Sequence, residues 1–482
     1  MIIAPVHAKV AFKDGRLDAK YHCSPGVRAN EHIELLRDGG AELRRLAGEN
    51  GLGYVGRTSR TKRVYAAPGE NSVPYLRPYD VFDYLPQAAD LLSETGNADL
   101  DRLMPEPGTI LQTCSGRNLG PLAYVDEYIS RFVVSDDMLR LHIENENDRL
   151  YALAFLSTPT GQALLTRSKT GNVIDHLSAE DLGNVEVPFI DDALTTEIVE
   201  LMRQAVNLRE QARVRLDDLV AEFQAQLPPI ERSGRLRDGW TQQARALGSR
   251  LDVAYHDPLV SQTREALAAV GGVKVGEVAQ TFMPNRYKRY YVESAFGRPI
   301  LSGRQLLQMK PVNLQYIAAR ALDFSEYELG VGTLVFGARG RAEERISLPA
   351  LITEERADWL ASHNVMRVRP NLGTNPGWLY LAFATQHVQS QVKASAFGSV
   401  VDVVDPSNLN EVLLPPPDEE RGDAALQCWR DLGSANALEA AAVNKVEAAI
   451  LSRVGALIPN QVDVNQQAVP TFVASAHATE AP

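Results

Sequence analysis

The chain has 482 residues, 45% of them hydrophobic, and a formal net charge of −12. That length predicts two globular domains plus something extended, with enough apolar residues for each half to bury its own core. No apolar run approaches the length of a membrane span, and the acidic balance at first argues against a nucleic-acid partner. Met1-Ile2-Ile3-Ala4-Pro5-Val6 lacks the basic-then-apolar pattern of a secretory signal, so none is expected. Cys23, Cys114 and Cys428 are too far apart for a C-x-x-C pair. Each is expected as a small apolar side chain in a reducing cytoplasm, not as a member of a disulfide framework or zinc site.

In chain order, the first half sets out landmarks that the second half repeats. Arg16-Leu17-Asp18-x-x-Tyr21-His22 returns as Arg250-Leu251-Asp252-x-x-Tyr255-His256, and Lys62-Arg63-x-Tyr65 as Lys288-Arg289-x-Tyr291. Gly108-Thr109 returns as Gly332-Thr333, Gly171-x-Val173-x-Asp175 as Gly398-x-Val400-x-Asp402, and Val185-x-x-Pro188 as Val412-x-x-Pro415. So long a period marks a duplicated domain, not a solenoid. Each half opens with a helical stretch, predicted over 31–47 and 262–270. A turn into a buried strand follows (108–113; 331–336), then a half-exposed strand (138–143; 366–369) and a helix (150–167; 378–395). A strand closing in proline comes next, and after it a long helix. In the first long helix Ile198, Leu201, Ala205, Leu208, Ala212, Leu216, Leu219 and Phe223 recur at steps of three and four, with one stutter in the heptad. In the second, Leu426, Trp429, Leu432, Val443, Val446, Ile450 and Leu457 form the stripe, and Gly433 is expected to weaken it by about 1 kcal/mol. The matching positions of the two helices predict that they pair. Past Pro459 the composition predicts a mobile tail.

Positive charge collects at corresponding places in the two halves. Arg57, Arg60, Lys62 and Arg63 precede Tyr65, and Arg286, Lys288 and Arg289 alternate with Tyr287, Tyr290 and Tyr291, with Arg304 downstream. Cations neutralise phosphates, and arginine can fork onto guanine edges. Cys114-Ser115-Gly116-Arg117-Asn118 and Gly337-Ala338-Arg339-Gly340-Arg341 leave the Gly-Thr strands at their far ends. Glycine there allows close backbone approach to a ligand. Candidate DNA-binding residues are therefore Arg57, Arg60, Lys62, Arg63, Ser115, Arg117, Asn118, Arg286, Lys288, Arg289, Arg304, Arg339 and Arg341.

Catalytic motifs are missing. There is no H-E-x-x-H, no G-x-x-x-x-G-K-[ST], no G-x-S-x-G and no Cys/His cluster. Gly330-Val331-Gly332 reads as a β-turn, because strand residues and not a helix follow it. His22 and His256 are expected to pack on their neighbouring tyrosines, and Asp175 and Asp402 to serve as turn or capping carboxylates. No catalytic residue, metal site or cofactor is expected in this chain.

These residues resemble the DNA specificity subunit of type I restriction-modification systems. Pro299-Ile300-Leu301-Ser302-Gly303 is similar to that family's apolar strand leading to a Ser-Gly pair. Glu328–Phe336 is similar to its glycine-turn strand, and Gly398–Asp402 with Leu409–Pro417 to its closing run before the long helix. Tyr75-Leu76-Arg77, Gly108–Leu111 and Val185–Pro188 repeat the pattern more loosely. Thr109 and Thr333 stand where the family usually has Asp, and the R-L-D-x-x-Y-H element is an elaboration that marks a divergent branch.

The resemblance implies an α+β fold with two tandem, pseudo-repeated α/β target-recognition domains, at 1–190 and 229–417. Two long helices, 191–228 and 418–457, would separate them as an antiparallel coiled-coil pair, with a disordered tail at 458–482. About 35 helical residues span roughly 50 Å, enough to hold a pair of reading heads more than a turn of duplex apart. The implied role is a non-catalytic, cytoplasmic subunit that directs a partner adenine methyltransferase to a bipartite, asymmetric site on double-stranded DNA. Two methyltransferase subunits per chain would dock on the helices and bring S-adenosylmethionine, and a restriction or other defence subunit would join them. The acidic balance motivates an alternative, an assembly scaffold that no longer reads DNA. A third reading, an enzyme using His22 or His256, needs partners for those histidines that the sequence does not supply.

Overall fold

The computed structural model describes residues 19–60, 62–67, 69–116, 119–168, 175–230, 239–247, 250–318, 324–340, 346–398 and 401–457. The segment 458–482 and the candidates Arg117, Asn118 and Arg341 lie outside these residues. No helix among them is long and apolar enough to cross a membrane.

The two halves are built alike. In the first, a four-stranded sheet takes the order Tyr54–Arg57, Met138–His142, Ile110–Thr113, Leu122–Tyr124. In the second the order is Ala279–Phe282, Val365–Pro370, Leu334–Gly337, Ala350–Leu351. All neighbours in both sheets are antiparallel, and Ile110 faces Leu141 as Leu334 faces Val368. The Gly-Thr turns are present: Gly108 and Gly332 have φ of +87° and +76°, and Thr333 N–H donates to the Gly330 carbonyl at 3.3 Å. A second sheet in each half ends in a short parallel pairing, Leu76 with Val134 and Leu301 with Ala361.

Several boundaries differ from those expected. The first helix covers Pro25–Asp38 and stops at Gly39-Gly40, where Gly40 has φ of +82°. The residues after it form the strand Glu42–Arg45, paired with Glu186–Phe189. Its counterpart covers Pro258–Ala269. The helices expected at 150–167 and 378–395 are each broken in two. Thr158 and Thr385 turn extended, and their hydroxyls accept the amides of Gly161 and Val388 to start Pro159–Arg167 and Gln386–Ser395. At Thr158 the following proline also disfavours helical backbone.

The long helices run Asp192–Ala225 and Glu419–Leu457. Ion pairs Glu197–Lys445 at 3.0 Å, Arg209–Glu439 at 2.6 Å and Glu222–Arg421 at 3.9 Å show that they lie antiparallel. Their buried faces depart from the expected stripes. Leu201, Leu208, Leu426, Val443 and Leu457 are only half-buried, whereas Met202, Val206, Arg209, Arg213, Ala425, Cys428, Asn436 and Glu439 are buried. The reason is that each helix packs on more than its partner. Ile198, Val199, Met202 and Val206 join Ala442, Val446, Ile450 and Val454 in the core of the first half. Ala212, Leu216, Leu219 and Phe223 join Ala425, Cys428, Trp429 and Leu432 in the core of the second. The C-terminal end of the first helix thus completes the body that follows it, and that of the second returns to the body that opened the chain.

The helix pair is therefore not a bare bar between separated bodies. The two halves meet beside its midpoint, where Asp83 and Gln308 form an antiparallel bridge. Tyr84 N–H donates to the Leu307 carbonyl at 2.7 Å and Met309 N–H to that of Phe82 at 2.8 Å. These are equivalent loops of the two repeats, each following the strand that ends in Leu76 or Leu301. On the helices, Arg209 and Asn436, equivalent in the repeat, meet at 3.3 Å. A pseudo-two-fold axis accordingly passes through both contacts. Arg213 is wholly buried beside it. Its guanidinium donates to the Asp126 carboxylate at 2.6 Å, the Tyr84 carbonyl at 2.9 Å and the Asp83 carbonyl at 3.1 Å.

Two glycines at the second helix have packing reasons. A Cβ at Gly433 would lie 2.7 Å from Thr353 Oγ1, so any larger residue would have to displace that side chain, a packing reason for a glycine that the helical pattern alone makes look like a defect. Across the contact with the helix Pro376–Ala384, a Cβ at Gly377 would lie 2.0 Å from the Gly422 carbonyl oxygen. Gly377→Ala must therefore push backbone from backbone. We expect it to lower the urea midpoint, by about 1–3 kcal/mol in stability; an unchanged midpoint would mean that the helix shifts freely.

Candidate nucleic-acid interface

Each half assembles its basic cluster from the same three pieces. One is the segment carrying the cations, 57–63 or 286–291. The second is the turn that enters the long central strand, Ser135-Asp136-Asp137 or Ser362-His363-Asn364. The third is the exit of the Gly-Thr strand, Cys114–Gly116 or Ala338–Gly340. Main-chain contacts fix the last two together: Cys114 N–H to the Asp137 carbonyl at 3.4 Å, and Ala338 N–H to the Asn364 carbonyl at 3.0 Å. The turn also bonds to the second sheet, Ser135 N–H to Leu76 and Ser362 N–H to Leu301.

Geometry is shared, but electrostatics is not. In the first half the arginines are matched by acids. Arg57 and Arg60 reach Asp137 at 3.0 and 3.3 Å, and Arg63 pairs with Asp136 while its guanidinium lies 5.2 Å from the Tyr75 ring centroid. In the second half the corresponding turn residues are His363 and Asn364. Arg289 donates to Ser362 Oγ at 3.2 Å and contacts His363 Nδ1 at 3.1 Å, and its guanidinium lies 5.5 Å from the Tyr287 ring centroid. Lys288 lies over Tyr290. Among the described residues no carboxylate forms an ion pair with Arg286, Lys288, Arg289 or Arg339. Arg286, Tyr287, Lys288, Arg289, Tyr291, His363 and Asn364 line an open cleft of about 600 Å³. Its tyrosine wall is firm, since Tyr287 packs on Tyr327 with ring centroids 4.1 Å apart.

The remaining candidates fall in other settings. Lys62 and Arg339 are exposed at their clusters. Ser115 pairs with His176 in an isolated bridge, and its hydroxyl lies 3.1 Å from His176 Nδ1. Arg304 is set apart from the cleft: it spans the join between halves, 3.0 Å from buried Asp80 and over the Tyr79 ring. Gly303 and Gly337 are close enough that a Cβ on Gly303 would lie 3.5 Å from the Gly337 Cα. Arg304 thus links the strand exit of the second half to Tyr79 of the first. The turns carrying Asp136-Asp137 and His363-Asn364 were missed from the sequence. Aligning the repeats at Met138 and Val365 would have exposed the charge difference.

The second R-L-D-x-x-Y-H element is structural. Arg250 pairs with Asp252 at 2.6 Å, lies over the Tyr255 ring at 4.3 Å, and donates to the Ser395 and Ala396 carbonyls at the end of a helix. His256 Nε2 lies 2.7 Å from the Arg250 carbonyl, and its ring meets Tyr255 edge-on. Arg16, Leu17 and Asp18 lie outside the described residues. The Asp175 carbonyl accepts from Gly116 N–H at 3.0 Å, and Asp402 pairs with Gly340 in a short antiparallel ladder. Among the described residues no His, Cys, Asp and Glu cluster could hold a metal ion.

Burial, and then the charges of Arg289, Arg339 and Arg286, hold the His363 imidazole below its ordinary value of 6.5. Tyr287, Tyr291, Lys288, Ser362 and Asn364 are its other neighbours in the cleft, and none of them is an acid. A polyanion bound there would offset the arginines and lift that value. Binding should then take up a proton, and affinity should rise as pH falls toward the ordinary histidine range. Titrating duplex DNA at successive pH values checks this; the His363→Asn chain should lose the dependence.

No protein-family model matches the sequence, and no curated protein matches it. Solved structures do. Along most of its length the chain is similar to S subunits of type I restriction-modification systems. That of M. genitalium is 13% identical over 87% of this chain and 94% of its own, with a TM-score of 0.27. The HsdS subunit of Thermoanaerobacter tengcongensis is 13% identical over 87% and 95%, with a TM-score of 0.26. The type IIG restriction endonuclease BpuSI is 15% identical over 38% of this chain and 28% of its own, with a TM-score of 0.25.

Proposed function

We propose that this chain is a divergent, non-catalytic DNA specificity subunit: two target-recognition domains on an antiparallel coiled-coil pair. It would bind a bipartite site on double-stranded DNA in the cytoplasm and direct partner methyltransferase subunits there, two per chain, which carry S-adenosylmethionine and the chemistry. A restriction or other defence subunit would join the same assembly. The observation that carries the reading is the doubled basic cluster, built from the same three backbone pieces in each half and related by a pseudo-two-fold axis. Cations on short segments beside tyrosine rings suit phosphate contact, and the adjoining strand exits suit base edges. The bodies meet at their inner loops, so the spacing of the half-sites follows from that join as well as from the helices.

The test is methylation mapping. Deleting the gene should erase methylation at one split motif, and exchanging residues 279–340 for those of a relative should change one half of that motif only. An unchanged methylation pattern after deletion would sink the reading. The scaffold alternative draws on the acids that match the first cluster. It predicts that the methyltransferase complex binds duplex equally well, and without sequence preference, whether or not this chain is present.

A further inference from the structure

The two clusters share a backbone and differ at one turn. Asp136-Asp137 in the first half occupies the place of His363-Asn364 in the second. The consequence is local but large. Arg57, Arg60 and Arg63 already hold carboxylate oxygens in ion pairs. Arg289 has side-chain hydroxyl, imidazole and ring neighbours instead, Lys288 lies over a ring, and Arg286 lines the open cleft beside them. A carboxylate offers the same acceptor oxygens and the same sign of charge as a backbone phosphate, and it satisfies a guanidinium in the same way. Phosphate reaching the first cluster must break standing ion pairs and bring its charge beside Asp136 and Asp137. Among the described residues, phosphate reaching the second meets no ion pair to break, and Arg286 and Arg289 line one open cleft with His363, whose imidazole also feels Arg339.

We infer that the two halves engage the phosphate backbone unequally: the 286–291 cluster is the standing anion site, and Asp136 and Asp137 serve as built-in phosphate surrogates that hold the 57–63 cluster shut until DNA already anchored through the second half displaces them. The inference rests on the DNA-binding reading above and adds an order of engagement and an internal gate to it. The gate favours productive two-headed binding. On random DNA only the second half grips, so non-specific affinity stays low. The first half opens where tethering raises the local concentration of duplex.

The test uses the full-length chain and a fluorescent duplex of random sequence, titrated at several salt concentrations. Asp136→Asn with Asp137→Asn should tighten binding and steepen the slope of log K against log[salt] by about 2, because freed arginines now displace counterions. The reciprocal variant, His363→Asp with Asn364→Asp, should install the same block in the second half, weakening binding at least roughly tenfold and flattening the slope by about 2. Unaltered affinity and slope in both variants, in chains whose thermal melts match the parent, would overturn the gate. Weaker binding after Asp136 and Asp137 are neutralised would overturn it too, since that would make the acids contacts and not a block. A parent chain that shows no salt-dependent affinity for duplex, alone or with its methyltransferase, would instead remove the DNA-binding reading itself.

Discussion

Replacing Arg286 and Arg289 together by alanine should cost this chain most of its grip on duplex DNA. Both residues line the open cleft, and neither has a carboxylate partner among the described residues. A charge-assisted hydrogen bond contributes about 1.5–3 kcal/mol, so losing two should weaken binding by roughly 10²- to 10⁴-fold. The salt slope should become shallower by about 2. Anisotropy titrations at two ionic strengths measure both quantities. Folding should survive, because Arg286 is exposed and the polar and ring partners of Arg289 among the described residues, Tyr287, Tyr291, Ser362 and His363, all lie at the open cleft. Full affinity in the double variant would move the DNA surface elsewhere on the molecule.

The largest expected loss of stability comes from the centre of the helix pair. Glu439 is buried and takes hydrogen bonds from Arg209 at 2.6 Å and from Lys310. Burial opposes its ionisation, but the charges of Lys310 and Arg209, together with their hydrogen bonds, override that and hold the carboxyl down at about 2. Glu439→Ala leaves Arg209 buried without its counter-charge, which should cost about 3–5 kcal/mol in denaturant unfolding. Replacing Arg209 and Glu439 together by apolar residues should recover much of the loss, since no orphaned charge remains. The folded value lies below the ordinary 4.5. The contribution of Glu439 is therefore complete above about pH 4.5 and is lost as pH falls through about 2. Acid unfolding of the parent should steepen in that window, and in the doubly apolar chain it should not.

Much of this architecture was legible because it depends on local signals repeated at one long period. Gly108-Thr109 and Gly332-Thr333 specify a turn before a strand whatever surrounds them, and the proline stops at Pro188 and Pro415 mark where each long helix begins. Charge placement was less legible. Arg213 reads as a solvated residue of a helix surface, yet it is sealed inside because Asp126 and two carbonyls from distant loops converge on it. The stripe through Leu201 and Leu208 assumed a seam between two helices alone. The inner loops supply a third neighbour, and the buried face rotates to meet it. The basic clusters were found by composition, but their difference was not, because it lies in a turn more than seventy residues from Arg57 and Arg63. A count of cations gives formal charge; only the fold shows which of them are already spoken for.

The crossing of Arg209 with Asn436 has a consequence for how such a chain can have arisen and what it can no longer do. In an assembly of two identical first halves, that point would set arginine against arginine with no acid to reconcile them. Two identical second halves would bring asparagine to asparagine and deprive each Glu439 of its buried arginine. A single heterotypic meeting at the centre of symmetry thus favours a first half closing on a second half over either half closing on its own kind.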